Sequence, residues 1–142
     1  MELTKHEHAT VTIRKGSRAL LIDPGTFPSD VGALVARADA VLVTHEHFDH
    51  FDVDAIRCGL EERRSLSVYG PPAIVEVLEG FRGRVHAVAA GDSIEIDDFH
   101  LRVYDDTHAV IHPEIPTVDN VGYLIDDAVL HPGDAYLVPG VP

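Results

Sequence analysis

Polar and apolar residues alternate along residues 8–13, with Ala9, Val11 and Ile13 set against His8, Thr10 and Thr12. Successive strand side chains point to opposite faces, so this pattern predicts a half-buried strand. Lys15-Gly16-Ser17 supplies a turn and residues 19–22 a second apolar run, which together predict an opening hairpin. Asp23-Pro24-Gly25 then stops the second strand, because proline fixes φ and glycine accepts a left-handed turn. Asp23 is thereby delivered at a strand end.

Ser29 or Asp30 can cap a helix through about Ala38, with Val31, Leu34 and Val35 on one face. Residues 40–43 form an unbroken apolar run, suited to a strand buried on both faces. After the polar stretch that follows, Asp49 or Asp52 caps a helix whose apolar positions are Val53, Ile56 and Leu60. Arg63-Arg64 close it with charge that suits the C-terminal dipole. Residues 67–69 read as a short strand, and Pro72, the stripe Ile74, Val75 and Leu78, and the stop Gly80 as a third helix.

From Val85 onward the period becomes two. Residues 93–96 and 99–104 flank Asp97-Asp98, and residues 121–125 and 128–130 flank Asp126-Asp127, both predicting two-residue hairpins. Residues 105–120, with His108, His112, Pro113 and Pro116, show no period and read as a long functional loop. Alternating helices and strands followed by antiparallel hairpins predict a layered α/β (α+β) architecture.

A length of 142 residues suits one domain spanning residues 1–142. The lone Cys58 excludes an intramolecular disulfide and a cysteine-rich zinc site, so histidines and acids must do any metal binding. The first residues show no basic segment followed by an apolar one, and no run approaches the ~18 apolar residues of a membrane span, which predicts a cytoplasmic protein with no membrane partner. The formal charge of −13, with Arg102 nearly alone among basic residues in the C-terminal third, predicts no nucleic-acid partner. Bound divalent cations would reverse that field locally.

The chemistry concentrates in Thr44-His45-Glu46-His47-Phe48-Asp49-His50, directly after the apolar run. His45 and His47 share a side in extended backbone, while Asp49 and His50 fall where the chain turns toward a helix, so one loop can serve two metal positions. Glu46 is expected to be solvated.

This run resembles the His-x-His-x-Asp-His signature of the metallo-β-lactamase superfamily and matches it at every specified position. The resemblance implies a sandwich of two mixed β-sheets faced by helices (αββα), with metals at one edge of the sheets. It implies a third histidine for the first metal from a later loop and an aspartate bridging both metals after a glycine. Thr107-His108-Ala109 and Gly133-Asp134-Ala135 stand in those places. The implied sets are His45, His47 and His108 for one metal and Asp49 and His50 for the other, with Asp134 shared. His112 competes with His108 or lines the pocket. Asp23 is expected to hold a ligand histidine or the ligand loop. His131 is either near the site or structural, and His8 is a weak pocket candidate on the polar face of its strand.

The expected cofactor is one or two divalent ions per chain, zinc first, with manganese or iron as alternatives. The implied activity is metal-dependent hydrolysis of a small-molecule ester, lactone, thioester or phosphoester, with Asp49 orienting the nucleophile, as in the ascorbate-6-phosphate lactonase-like branch. Family domains run longer than this chain and draw one more histidine from near their C-terminus, where this sequence reads Pro139-Gly140-Val141-Pro142. The resulting expectation is a domain incomplete at its C-terminus, whose second metal site is weak or empty and whose bare sheet surfaces are covered by homo-oligomerisation. The alternative is a catalytically impaired metal-binding or assembly protein.

Overall fold

The computed structural model describes residues 1–135, with the side chains of residues 105–107 excepted. The expectation placed on Pro139-Gly140-Val141-Pro142 therefore lies outside the described residues. The elements are β1 Glu2–Lys5, β2 Val11–Lys15, β3 Arg18–Ile22, α1 Val31–Arg37, β4 Ala40–Leu42, α2 Val53–Glu62, β5 Ser67–Gly70, α3 Pro72–Val77, β6 Val85–Ala87, β7 Ser93–Ile96, β8 Phe99–Thr107, β9 Asp119–Ile125 and β10 Val129–His131. None of the described helices is long and apolar enough to cross a membrane.

The first sheet runs β1-β2-β3-β4-β5-β6, antiparallel over β1 to β3 and parallel from β3 to β6. Parallel neighbours need crossovers, and α1, α2 and α3 supply them. The second sheet, β10-β9-β8-β7, is antiparallel throughout, so among the described residues only the first of the two sheets is mixed.

Two cores hold these layers together. Ala40 and Leu42 face the second sheet with Ile13, Leu20, Ile22, Phe99, Leu101, Val103 and Tyr123, while Val41 and Val43 face the helices with Val35, Ile56, Leu60, Ile74 and Leu78. Burial on both faces is why residues 40–43 carry no polar position. The buried Tyr123 hydroxyl donates to the Val43 carbonyl at 2.8 Å and so ties the second sheet to the base of the ligand loop.

Several boundaries differ from the sequence expectation. The opening alternation does not become strand until Val11, and His8 lies in the turn between β1 and β2 with φ 58°. β1 itself is exposed along its length and pairs only at the sheet edge, so no burial pattern announced it. β6 joins the parallel sheet beside β5, because three residues are too few to display a period. β8 runs on to Thr107 and β9 starts at Asp119, which shortens the long loop to residues 108–118. Asp97-Asp98 is the expected two-residue hairpin, but Ile125 pairs with Val129, so the second connection has three residues. Asp52, not Asp49, caps α2 by accepting from Ala55 N at 3.0 Å. Arg63 serves the end of α1 instead of its own helix, donating to the Val35 and Ala38 carbonyls, while Arg84 caps α2 through Leu60 and Arg63.

Candidate metal centre

The chain leaves β3 at Asp23, which adopts φ 49° and is fully buried. Its backbone N–H donates to Leu42 O at 2.9 Å, and its carboxylate accepts from Thr44 N at 2.8 Å and from Thr44 Oγ1 at 2.6 Å. The start of the ligand loop is therefore bolted to the end of the neighbouring strand. Asp23, rather than Gly25, takes the left-handed conformation of this turn. Gly25 is needed for a different reason: a Cβ there would lie 1.9 Å from the Asp49 carbonyl oxygen. Thr26 N donates to Phe48 O and Asp52 N to Pro24 O, so residues 23–26 form the floor on which residues 48–52 lie.

The ring nitrogens of the buried histidines are assigned by their partners. His50 Nδ1 donates to Asp23 Oδ2 at 2.6 Å. Thr44 Oγ1 spends its proton on Asp23, so His45 Nδ1, 2.9 Å away, donates to that hydroxyl. His108 Nδ1 donates to the Ala109 carbonyl at 2.7 Å. In each neutral ring the proton is on Nδ1, which leaves Nε2 with a bare lone pair.

All three Nε2 atoms converge on the Asp134 carboxylate. His108 Nε2 lies 3.2 Å and His45 Nε2 3.7 Å from Oδ2, while His50 Nε2 lies 3.1 Å from Oδ1. The buried His45 and His50 Nε2 atoms have no hydrogen-bond partner. Two buried ring nitrogens left without partners beside a carboxylate and further imidazoles make a nitrogen and oxygen donor set that fits a metal ion. His47 joins from the same loop, with its ring centroid 4.9 Å from His45 and 4.7 Å from His108. The donor atoms of His45, His47 and His108 all lie within 4.8 Å of one another, as do those of His8, Asp49 and His50.

Asp134 is placed by Asn120, which is fully buried on β9. The Asn120 amide donates to Pro132 O at 2.8 Å and accepts from Asp134 N at 3.1 Å. Gly133, at φ 65°, is required there because a Cβ would come within 2.2 Å of Asn120 Oδ1. Ala109 N donates to Asp134 O at 2.7 Å and locks the two late ligand segments together.

Electrostatics follow from burial and from these bonds. Burial, helped by the nearby His50 charge, lowers the His45 pKa to about 4. Burial also opposes the charged form of His50, but its bond to Asp23 and the charges of Asp23, Asp134 and Asp49 outweigh it, so its pKa is raised. Burial would raise Asp23, yet the His50 bond, the His131 and His50 charges and the Thr44 hydroxyl hold it below the ordinary carboxylate value.

The structure thus brings together His45, His47, Asp49, His50, His108 and Asp134 and sets Asp23 directly behind them. His112 is not brought in: it is exposed, and its Nδ1 accepts from Glu114 N in its own loop. His131 stands behind the centre, largely buried, with Nδ1 4.0 Å from Asp23 Oδ2, and it also has a structural role, donating from Nε2 to Ala9 O at 2.8 Å and accepting from Gly133 N. Glu46 is exposed, as expected. Sequence reasoning missed Asn120 and the relay through Thr44, and it underrated His8, whose Nε2 lies 2.8 Å from Asp49 Oδ2. A buried asparagine opposite a Pro-Gly-Asp turn carries no local pattern by which to find it.

Known proteins share both sequence and fold with this chain. A protein of Mycobacterium tuberculosis is 37% identical over 146 residues, covering 99% of this chain and 66% of its own length. A UPF0173 metal-dependent hydrolase from Bacillus licheniformis is 28% identical, covering 96% of this chain and 64% of its own length. The chain thus spans just under two thirds of the length of these relatives. Among solved structures, the diiron β-hydroxylase CmlA from Streptomyces venezuelae superposes with a TM-score of 0.65 at 22% identity, covering 92% of this chain and 28% of that one. Zn(2+)-bound PqqB from Methylobacterium extorquens gives 0.58 at 17% identity, covering 82% and 48%. Residues 2–139 match the family described as the beta-lactamase superfamily domain, and the chain belongs to that family, with the metallo-β-lactamase fold.

Proposed function

We propose that this chain is a metal-dependent hydrolase of a small-molecule ester, lactone, thioester or phosphoester. The observation that carries this reading is the convergence of three imidazole Nε2 atoms, from His45, His50 and His108, on the Asp134 carboxylate, those of His45 and His50 buried with no hydrogen-bond partner. His45, His47 and His108 would hold one divalent ion and Asp49 and His50 a second, with Asp134 between them. The donors are all nitrogen and oxygen, which suits zinc first and admits manganese or iron. A cation held there supplies Lewis acidity, lowering the pKa of water from 15.7 toward about 7.

The chain's own residues supply position and proton handling. Asp23 and Thr44 keep the imidazole protons on Nδ1, so the lone pairs stay aimed inward. The partly exposed Asp49 carboxylate orients an attacking water and accepts its proton. Exposed Phe27 lies beside His8 and Phe48, and exposed Val110 and Ile111 line a pocket with His108 and Asp134, which favours a substrate with an apolar part. The net charge of −13 disfavours nucleic acid. A cytoplasmic, self-associating protein completes the proposal.

The test is a substrate panel of nitrophenyl esters, acyl thioesters, lactones and a phosphodiester, with metal content measured by mass spectrometry. Hydrolysis of at least one class, lost with EDTA and in His47→Ala, is the expected result. Turnover in metal-free protein, or none by metal-loaded protein, overturns it.

A further inference from the structure

We propose that His8 is a direct ligand of the second metal position, completing the set begun by Asp49, His50 and Asp134. This rests on the metal-centre reading above and adds a residue from outside the ligand loop. His8 Nε2 lies 2.8 Å from Asp49 Oδ2, which is itself 3.7 Å from His50 Nε2. The three donor atoms all fall within 4.8 Å of one another, a spread that a single cation can span. The His8 ring meets that of His50 edge-on, with centroids 5.2 Å apart, and the ring of Phe27 backs it at 5.0 Å.

The backbone points the same way. His8 sits at φ 58°, a left-handed conformation uncommon for a non-glycine residue, and the contacts around the turn hold it there. Those surroundings are built from both sheets. His6 N donates to Thr10 O across the turn, Thr10 Oγ1 donates to Asp23 O at 2.7 Å, and His131 Nε2 reaches from β10 to Ala9 O at 2.8 Å. The turn is thus fastened to the residue that orients His50 and to the segment that leads to Asp134. His8 is 41% exposed, so burial does not hold it in place; the hydrogen bonds of the turn do, and they keep its ring against Asp49 and His50.

The test is titration of metal-free protein with Co(II), comparing the wild type with His8→Asn. Asparagine tolerates the left-handed backbone but its side chain is too short to reach Asp49, and unchanged backbone amide NMR shifts of residues 6–10 in the metal-free forms establish that the turn is kept. The wild type is expected to take up two equivalents, because His8 supplies a donor that the sequence expectation of a weak or empty second site did not include. His8→Asn should bind the first unchanged and the second at least about tenfold more weakly. Proton NMR of the Co(II)-loaded wild type should show paramagnetically shifted imidazole signals from His8 as well as from His45, His47, His50 and His108, and the variant should lose only the His8 set. Unchanged second-site affinity, or wild-type spectra without shifted His8 signals, overturns the assignment while leaving the centre intact. A wild type that binds one equivalent also overturns it, and one that binds none overturns the metal-centre reading as well.

Discussion

Asp23 Oδ2 accepts the His50 Nδ1 proton at 2.6 Å with both side chains fully buried, and the same oxygen accepts the Thr44 hydroxyl. One carboxylate therefore orients His50, fixes the start of the histidine-rich loop and, through Thr44, sets the tautomer of His45. Function and folding share this group.

Asp23→Asn isolates its charge and acceptor count, because asparagine keeps the left-handed backbone. The amide has one acceptor oxygen where the carboxylate has two, so Thr44 N or His50 Nδ1 is left facing an N–H. We expect a loss of about 1–3 kcal/mol in stability, from one unsatisfied buried donor. Zinc affinity should fall about 10–100-fold. Urea unfolding and calorimetric titration check the two; a variant unchanged in both would detach Asp23 from the centre.

Gly25→Ala places a methyl 1.9 Å from the Asp49 carbonyl oxygen, a backbone atom that cannot swing aside. The ligand loop must move to admit it. The expected outcome is a stability loss of about 1–3 kcal/mol together with weakened metal binding. Gly32→Ala, with open space around its Cβ, is the control and should leave metal binding as it is. Equal behaviour of the two variants would contradict the close-approach argument.

Metal-free protein should lose stability as pH falls from 6.5 toward 4. His45 titrates at about 4 in the fold against 6.5 when unfolded, so within that interval the unfolded chain binds a proton that the fold refuses. His50 has its pKa raised and is protonated in both states there; its contribution is lost only as pH rises through the raised value. His45→Gln should flatten the slope across this interval relative to the wild type. Urea midpoints of EDTA-treated protein measure it, and parallel slopes for the two proteins would refute the assignment.

Much of the candidate centre was legible because its residues are local. His45, His47, Asp49 and His50 lie within one turn after a fully apolar strand, and the apolar run itself reports burial on both faces. The Asp97-Asp98 hairpin and the Pro72 helix start were readable for the same reason, since each depends on neighbours in the chain. The parts that escaped are long-range. Asn120 reaches Pro132 and Asp134, Arg84 caps the helix that ends near Arg63, and His8 meets Asp49 across the fold. Sequence spacing says nothing about such pairs until the sheets are assembled. β1 escaped for another reason: an exposed edge strand has no buried face to impose a pattern.

Asn120 offers the sharpest separation between building the fold and aiming a ligand. Its amide accepts from Asp134 N and donates to Pro132 O, so it sets where the Asp134 carboxylate stands without touching any metal donor. In Asn120→Asp an acceptor for Asp134 N survives, while the donor to Pro132 is lost and a buried charge appears. In Asn120→Ala both bonds vanish and leave room beside Thr44. If the position of Asp134 governs the shared site, Asn120→Ala should weaken uptake of the second Co(II) equivalent more than the first, because His45, His47 and His108 remain to hold the first. A stability loss of about 1–3 kcal/mol should accompany it, for the buried amide partners left unpaired. Equal weakening of both equivalents would show that Asn120 supports the fold as a whole and does not aim Asp134.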